Sequence, residues 1–296
     1  MMRSMADSHR EARPLLGALS IIGACALFGT NSLFVKLISA RVDPWRISFV
    51  RFSAGAILAA AVIAATALKE RTGLAEGFRI KQPLTMIIRA ILGVAQMTIF
   101  FIGVSMTSSG RATLLNCTHP IFAAILGFLA FRERPRAAVF AGIGLGFLGA
   151  FLVFWDGSAY PLLGNLLCIV SGASLGSSMH FIKRARRDHS AALVYLAPCV
   201  LGILITSFAA PGLARISSAD WAFVACIAAF AFAGQYLMGW GLKYIAATTG
   251  SLLGLSEVLF AVSMSAIFLQ EAMPPRFFLG GALVLAGLVL TILSIG

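Results

Sequence analysis

Charge is scarce in this chain. Of its 296 residues only 11% are charged, against ~25% in an ordinary soluble domain, so water is not its main solvent. Carboxylates are scarcer still, 11 Asp and Glu beside 23 Lys and Arg. The resulting net charge of +12 would suit a nucleic-acid partner if the basic residues gathered on one folded soluble surface. They sit instead in short gaps between apolar runs, which argues against that partner. Catalytic and metal-binding patterns are missing too: there is no HExxH, GxSxG, CxxC or phosphate-binding P-loop. Two of the four histidines, His9 and His189, fall in hydrophilic segments. Cys25, Cys117, Cys168, Cys199 and Cys226 lie singly in apolar stretches and read as packing residues. The sequence therefore calls for no catalytic residue, metal or cofactor.

What is present is apolar bulk. Hydrophobic residues make up 59% of the chain, with 23 Phe and 29 Gly, a composition for helices that face lipid on one side and pack closely on the other. A helix needs about 20 apolar residues to cross the hydrocarbon layer. Windows of that size predict spans at 15–39, 47–68, 84–106, 112–131, 137–155, 162–182, 191–209, 221–242, 248–269 and 277–294. Residues 1–14 read as a tail of mixed charge, and the apolar run after it is too long for a signal-peptide core of ~7–15 residues. Gly-x-x-x-Gly pairs at Gly142 and Gly146, Gly172 and Gly176, and Gly250 and Gly254 fit close helix crossings.

The basic residues set an orientation. With the N-terminus cytoplasmic, the cytoplasmic segments hold Arg3, Arg10, Arg13, Lys69, Arg71, Arg79, Lys81, Arg132, Arg134, Arg136, Lys183, Arg184, Arg186, Arg187 and Lys243. The opposite side holds only Arg41, Arg46, Arg111, Arg215 and Arg276. That asymmetry is the one expected of ten spans with both termini in the cytoplasm of an inner-membrane protein.

The chain also matches itself. Leu15, Leu16, Gly17, Leu19, Gly29, Phe34 and Lys36 meet Leu162, Leu163, Gly164, Leu166, Gly176, Phe181 and Lys183 at a fixed offset of 147. At an offset of 138, Leu114, Leu115, Phe122, Glu133, Gly142 and Gly149 meet Leu252, Leu253, Phe260, Glu271, Gly280 and Gly287. The first span thus pairs with the sixth, and the fourth and fifth with the ninth and tenth. Five spans per repeat is an odd number, so the halves enter the membrane from opposite sides. The expected fold is all-α and integral to the membrane: ten transmembrane helices as two inverted five-helix repeats, 15–155 and 162–296, joined by a linker at 156–161. Such symmetry is the usual basis of alternating access.

Phe28-Gly29-Thr30-Asn31 with Lys36, Arg51-Phe52 in the second span, and the stretches from Pro120 to Glu133 and from Val258 to Glu271 resemble the EamA branch of the drug/metabolite transporter superfamily. Phe28 stands where that family often has Trp, and Val258 replaces the Pro of the other half. The resemblance implies a secondary transporter, more often an exporter of amino acids, metabolites or drugs than an importer. It leaves the substrate and the oligomeric state open. The implied partners are a small solute, the bilayer and a proton as coupling ion; a channel, a sensor or, more remotely, an intramembrane enzyme are the rival readings.

Ionisable groups within spans are costly, about 2.5–3.5 kcal/mol each at the centre. Lys36, Arg51, Arg89 and Lys183 read as span-end groups that snorkel to the interface. Glu133 and Glu271 close their spans beside water. Glu257 is different, a lone carboxylate about ten residues into the ninth span, with His119 at the repeat-equivalent place in the fourth. An apolar setting disfavours the charged form of a carboxyl group and would let it take up and release a proton near neutral pH. Pro120 removes a backbone donor and frees the Asn116 carbonyl, unless Thr118 fills the kink. Asn31, Gln96, Asn116, Ser177, Ser178, His180, Gln235, Tyr236 and Trp240 complete the expected wall of a cavity between the halves. The first, third, fourth, sixth, eighth and ninth spans line that cavity.

Overall fold

The computed structural model describes residues 2–38, 41–107, 109–132, 136–154, 161–269 and 275–293. Positions Glu133 and Glu271, residues 156–160 of the linker, and the span ends at 39, 155 and 294 lie outside them. Among the described residues the fold is helical throughout, with no strand. In chain order the helices are α1 (Met2–Ile38), α2 (Pro44–Glu70), α3 (Leu74–Gly77), α4 (Pro83–Met106), α5 (Ser109–Asn116), α6 (His119–Phe131) and α7 (Ala137–Phe154). There follow α8 (Leu162–Ala185), α9 (Ala191–Thr206) continued by a 3₁₀ segment (Ser207–Arg215), α10 (Ser218–Gly241), α11 (Ala247–Leu253), α12 (Ser256–Leu269) and α13 (Pro275–Leu293).

Six of these stretches are long and apolar enough to cross a membrane: Pro14–Ile38, Pro44–Glu70, Pro83–Met106, Leu162–Ala185, Ala191–Arg215 and Ser218–Gly241. Four shorter apolar helices accompany them. Their outward faces carry large apolar side chains, among them Ile57, Leu68, Phe128, Leu204 and Phe268. No soluble surface exposes apolar bulk on that scale; the molecule is a multi-pass membrane protein.

Local chemistry places the helix ends. Pro44 occupies the first turn of α2, where its missing N–H costs nothing, and the Asp43 carboxylate accepts the Trp45 N–H at 2.8 Å. Ser190 and Ser217 cap α9 and α10 in the same way, accepting from Leu193 N and Asp220 N at 3.1 Å. The tail expected before the first span continues α1, which is helical from Met2. Its Met, Arg and Ala residues have the propensity to extend a helix beyond its membrane part.

Packing pairs α1 with α10 and α12, α2 with α9, α4 with α8, α6 with α8, and α7 with α13. Glycine makes the closest of these possible. A Cβ at Gly149 would collide with Gly280 O, and one at Gly287 would lie 2.8 Å from Gly142 O, so α7 and α13 meet backbone to backbone. On α8 a Cβ at Gly172 would stand 2.7 Å from Asn116 O, and one at Gly176 would collide with His119 O. Loops gather at two ends of the bundle. At one end Arg41 pairs with Asp220 at 2.8 Å and Trp45 meets Phe208 at 5.1 Å between ring centroids. At the other, His189 Nε2 accepts the Lys81 N–H at 2.9 Å and the Gln82 side chain donates to Asp188.

Two arginines overturn the snorkelling expectation. Arg51 is 6% exposed and Arg89 1%. Both lie well inside their helices because α2 starts at Pro44 and α4 at Pro83, which puts each about 10 Å along the helix axis at 1.5 Å per residue. Both side chains are buried within the bundle.

Replacing Gly176 with Val is expected to destabilise the fold by about 1–3 kcal/mol or more, since the new side chain meets backbone that cannot move aside. Gly144→Ala, at a position with nothing within 4 Å of the new Cβ, serves as the control. An unchanged melting temperature of the purified Gly176→Val protein would show that the α6–α8 crossing is not close-packed.

Candidate functional site

The fourth and ninth predicted spans are each broken. α5 stops at Asn116 and α6 begins at His119, with Pro120 in its first turn; α11 stops at Leu253 and α12 begins at Ser256. One device serves both breaks. The Thr118 hydroxyl donates to Leu115 O at 2.8 Å, and the Ser256 hydroxyl donates to Leu253 O at 2.8 Å. Donor and acceptor in the second pair stand 138 positions after their counterparts in the first. Thr118 thus adds a second donor to the Leu115 carbonyl, which also accepts the Thr118 N–H at 3.3 Å, and not to the Asn116 carbonyl that Pro120 frees.

The breaks place His119 and Glu257 in the first turns of α6 and α12. A carboxylate there meets the positive end of the helix dipole, which lowers the cost of its mid-span position. Both residues line a cavity of ≈ 50 Å³ that α1, α2, α4, α5, α6, α8, α10 and α12 enclose. Asn31, Gln96, Asn116 and Gln235 line it too, and Phe28, Phe100, Phe101, Leu175 and Met179 supply apolar wall.

Several polar atoms here have no protein partner. Asn31 donates from Nδ2 to Ile227 O at 3.1 Å, but its Oδ1 is unpaired, as is His119 Nδ1. Asn116 Oδ1 accepts from the Ser171 hydroxyl at 3.1 Å, and Gln235 Oε1 accepts from Arg89 Nη2 at 3.1 Å. The Glu257 carboxylate lies within the electrostatic reach of Arg51 without forming an ion pair among the described residues.

The other expected wall residues stand elsewhere. His180 is buried between α8 and α6, its Nε2 2.7 Å from Ala123 O and its ring stacked on Phe131 at 4.7 Å. Ser178 is buried outside the cavity, Ser177 is half-buried and Trp240 packs on Tyr244 at 4.8 Å. Tyr236 faces a second cavity. A period of 3.6 decides these outcomes: one polar residue in a turn reaches the interior and its neighbours cannot.

That second cavity, ≈ 360 Å³, lies at the bundle end where the α2–α4 connection meets the turn between α8 and α9. It is larger and more charged, lined by Glu70, Arg79, Lys81, Arg186, Asp188, His189 and Tyr236. Its buried groups are already engaged. Arg186 donates to Gly239 O at 2.9 Å and to His189 O, and His189 Nδ1 lies 2.9 Å from Ala185 O. Because its Nε2 accepts from Lys81 N, His189 carries its proton on Nδ1. Burial pushes the Arg186 guanidinium below the ordinary arginine range. This end is a latch between connecting segments, and the smaller cavity with its unpaired groups is the stronger candidate site.

Arg51 is the wall residue that the sequence reading missed. Its Nε has no partner, and its guanidinium carbon sits 5.3 Å from the centroid of the Phe101 ring. The signal was present in the absence of any acid on the second span that could pair with it.

A profile described as the EamA-like transporter family matches residues 15–155 and again 162–293. An uncharacterized transporter of Archaeoglobus fulgidus is 24% identical over 277 residues, 93% of this chain and 95% of its own. An uncharacterized transporter of Synechocystis sp. is 25% identical over 189 residues, 60% of this chain, and only 56% of that relative's length is spanned. One solved crystal structure, at 19% identity, superposes with a TM-score of 0.76 over 97% of this chain and 99% of its own. That likeness is one of fold.

Single cysteines introduced into a background with the five native cysteines replaced by alanine separate wall from packing. Gln96→Cys is expected to react with a small water-soluble thiol reagent and Ser178→Cys to stay unlabelled. Equal labelling of the two would mean that the cavity is drawn in the wrong place.

Proposed function

Because the chain belongs to the EamA-like transporter family, we propose that it is a secondary transporter that exports a small organic solute by alternating access, with a proton as coupling ion. The observation that carries this reading is the cavity where Glu257 and His119 face one interior space from the first turns of two broken helices. Broken helices whose ends point at a site partway through the membrane are a recurrent way to bind solutes and ions there.

In this reading each broken pair, α5 with α6 and α11 with α12, makes one crossing, and the molecule has ten spans in two inverted repeats. The two separate matches of the family profile, the offset of 138 and the paired Thr118 and Ser256 contacts support it. The membrane is the cytoplasmic one and both termini are inside. Reporter fusions test that orientation. A fusion at Arg215 is expected to report the outer side, and fusions at Arg187 and at position 296 the inner side; an outward C-terminus would reveal a miscounted span.

Glu257 is the coupling or solute-contacting carboxylate. One proton moving down a potential of ~100 mV releases about 2.3 kcal/mol, enough for roughly a 50-fold solute gradient. A thermal-shift screen of the purified protein against amino acids, vitamins, nucleosides and cationic drugs selects a solute, because a ligand selective for the folded state raises the melting temperature. Counterflow in vesicles then distinguishes a carrier from a channel. Glu257→Gln keeps shape and most hydrogen bonding, so the variant is expected to insert and melt as wild type while losing concentrative transport. A full gradient built by the Gln variant would make Glu257 a structural residue.

A further inference from the structure

We propose that the cavity selects a short-chain organic monocarboxylate, whose carboxylate is held by the Arg51 guanidinium while its apolar tail lies against the Phe28, Leu175 and Met179 wall. The inference rests on the reading of this cavity as the transport site and names the class of solute it takes.

The argument begins with the balance of buried charge. Arg51 and Arg89 are each more than nine-tenths buried, and neither forms an ion pair among the described residues. Arg51 Nε and both Nε and Nη1 of Arg89 have no hydrogen-bond partner. The Cys199 thiol near them feels both guanidinium charges. Arginine keeps its charge throughout the physiological range. A buried cation without a carboxylate partner is costly, and among the described residues two stand here against the single carboxylate of Glu257. The interior is short of one negative charge.

Geometry decides which cation meets the guest. Arg51 lines the cavity directly. Arg89 lies behind Gln235, donating to its Oε1, and so fixes the amide while adding positive potential at a distance. The Arg51 guanidinium sits over the Phe101 face, 5.3 Å from the ring centroid, at the wall of the cavity. That fork matches the two oxygens of a carboxylate, the pairing in which arginine is strongest. Glu257 would repel an anion, so the guest's charge belongs on the Arg51 side and its uncharged body towards α8. With ≈ 50 Å³ of free space the guest is short unless the helices part to admit it.

The test is saturable binding of radiolabelled isovalerate to the purified full chain in lipid nanodiscs. Isoamylamine and isoamyl alcohol, matched in skeleton but cationic and neutral, serve as competitors. Isovalerate is expected to bind and to be displaced by unlabelled isovalerate, with the amine and the alcohol far weaker. Arg51→Gln is expected to weaken it about tenfold or more, the loss of a charge-assisted pair. Arg51→Lys is expected to retain part of the affinity as a point charge. Glu257→Gln, which removes the repelling carboxylate, is expected to bind more tightly than wild type, and this arm stands even if Arg51→Gln fails to fold. No saturable binding, preference for the amine, wild-type affinity in a folded Arg51→Gln protein, or unchanged affinity in Glu257→Gln each overturns the proposal. Counterflow of a cationic or neutral solute alone would leave the transport reading intact and end the anion inference. Isovalerate bound at Arg51 without any counterflow would do the reverse.

Discussion

In a membrane every backbone donor and acceptor must find its partner inside the protein, and the rest of this structure depends on how that demand is met where two helices break. An uninterrupted helix meets it automatically. At 117–118 and 254–255 the ladder is interrupted, and the hydroxyls of Thr118 and Ser256 donate to the Leu115 and Leu253 carbonyls there. Close glycine crossings then shield the exposed backbone. Gly172 and Gly176 press α8 against the first break, and Gly254 brings the second within reach of the His119 ring. Once the breaks are affordable, their first turns can carry residues that no continuous apolar helix would tolerate.

The same economy governs the two ends of the bundle. Arg41 with Asp220 at one end, and Lys81 and Gln82 with His189 and Asp188 at the other, tie the N-terminal half of the chain to the C-terminal half. Both ties hold at once here, consistent with the small central cavity. The alternating access proposed here would release one set while keeping the other. Exposed ion pairs contribute about 0–1 kcal/mol and ordinary hydrogen bonds about 0.5–1.5 kcal/mol, so either end can open at a cost that binding of a solute or proton would offset.

Much of this was legible in the sequence because lipid imposes a coarse and reliable pattern. Apolar windows located the helices, and the apolar exterior follows from them. Asn31, Gln96, Asn116, His119, Gln235 and Glu257 were legible as a group because each is a polar residue whose burial needs a reason, and one cavity holds them all. Rotation about the helix axis was not legible. Ser178 and His180 flank Met179, which lines the cavity, while they pack against neighbours instead. The breaks were hidden as well: Pro120 announced the first, but nothing in Gly254-Leu255-Ser256 separates a stop from an ordinary small-residue contact. Arg51 was misplaced for a simpler reason. The apolar window began at Ile47, whereas Asp43 and Pro44 start the helix a turn earlier and carry the arginine inward.

That inward shift ties the two halves of the problem together. Glu257 and Arg51 carry opposite charges, come from opposite halves of the chain and face one cavity without touching. In a low-dielectric interior opposite charges attract strongly. A pair closed in contact would be inert, since neither group could bind anything without first breaking it. Held apart, each would be available in the proposed reading, the carboxylate to a proton and the guanidinium to an anion, and occupancy of one would change the field felt at the other. Under the proposed function, coupling between ion and solute would need no relay through the protein, because both groups line one cavity.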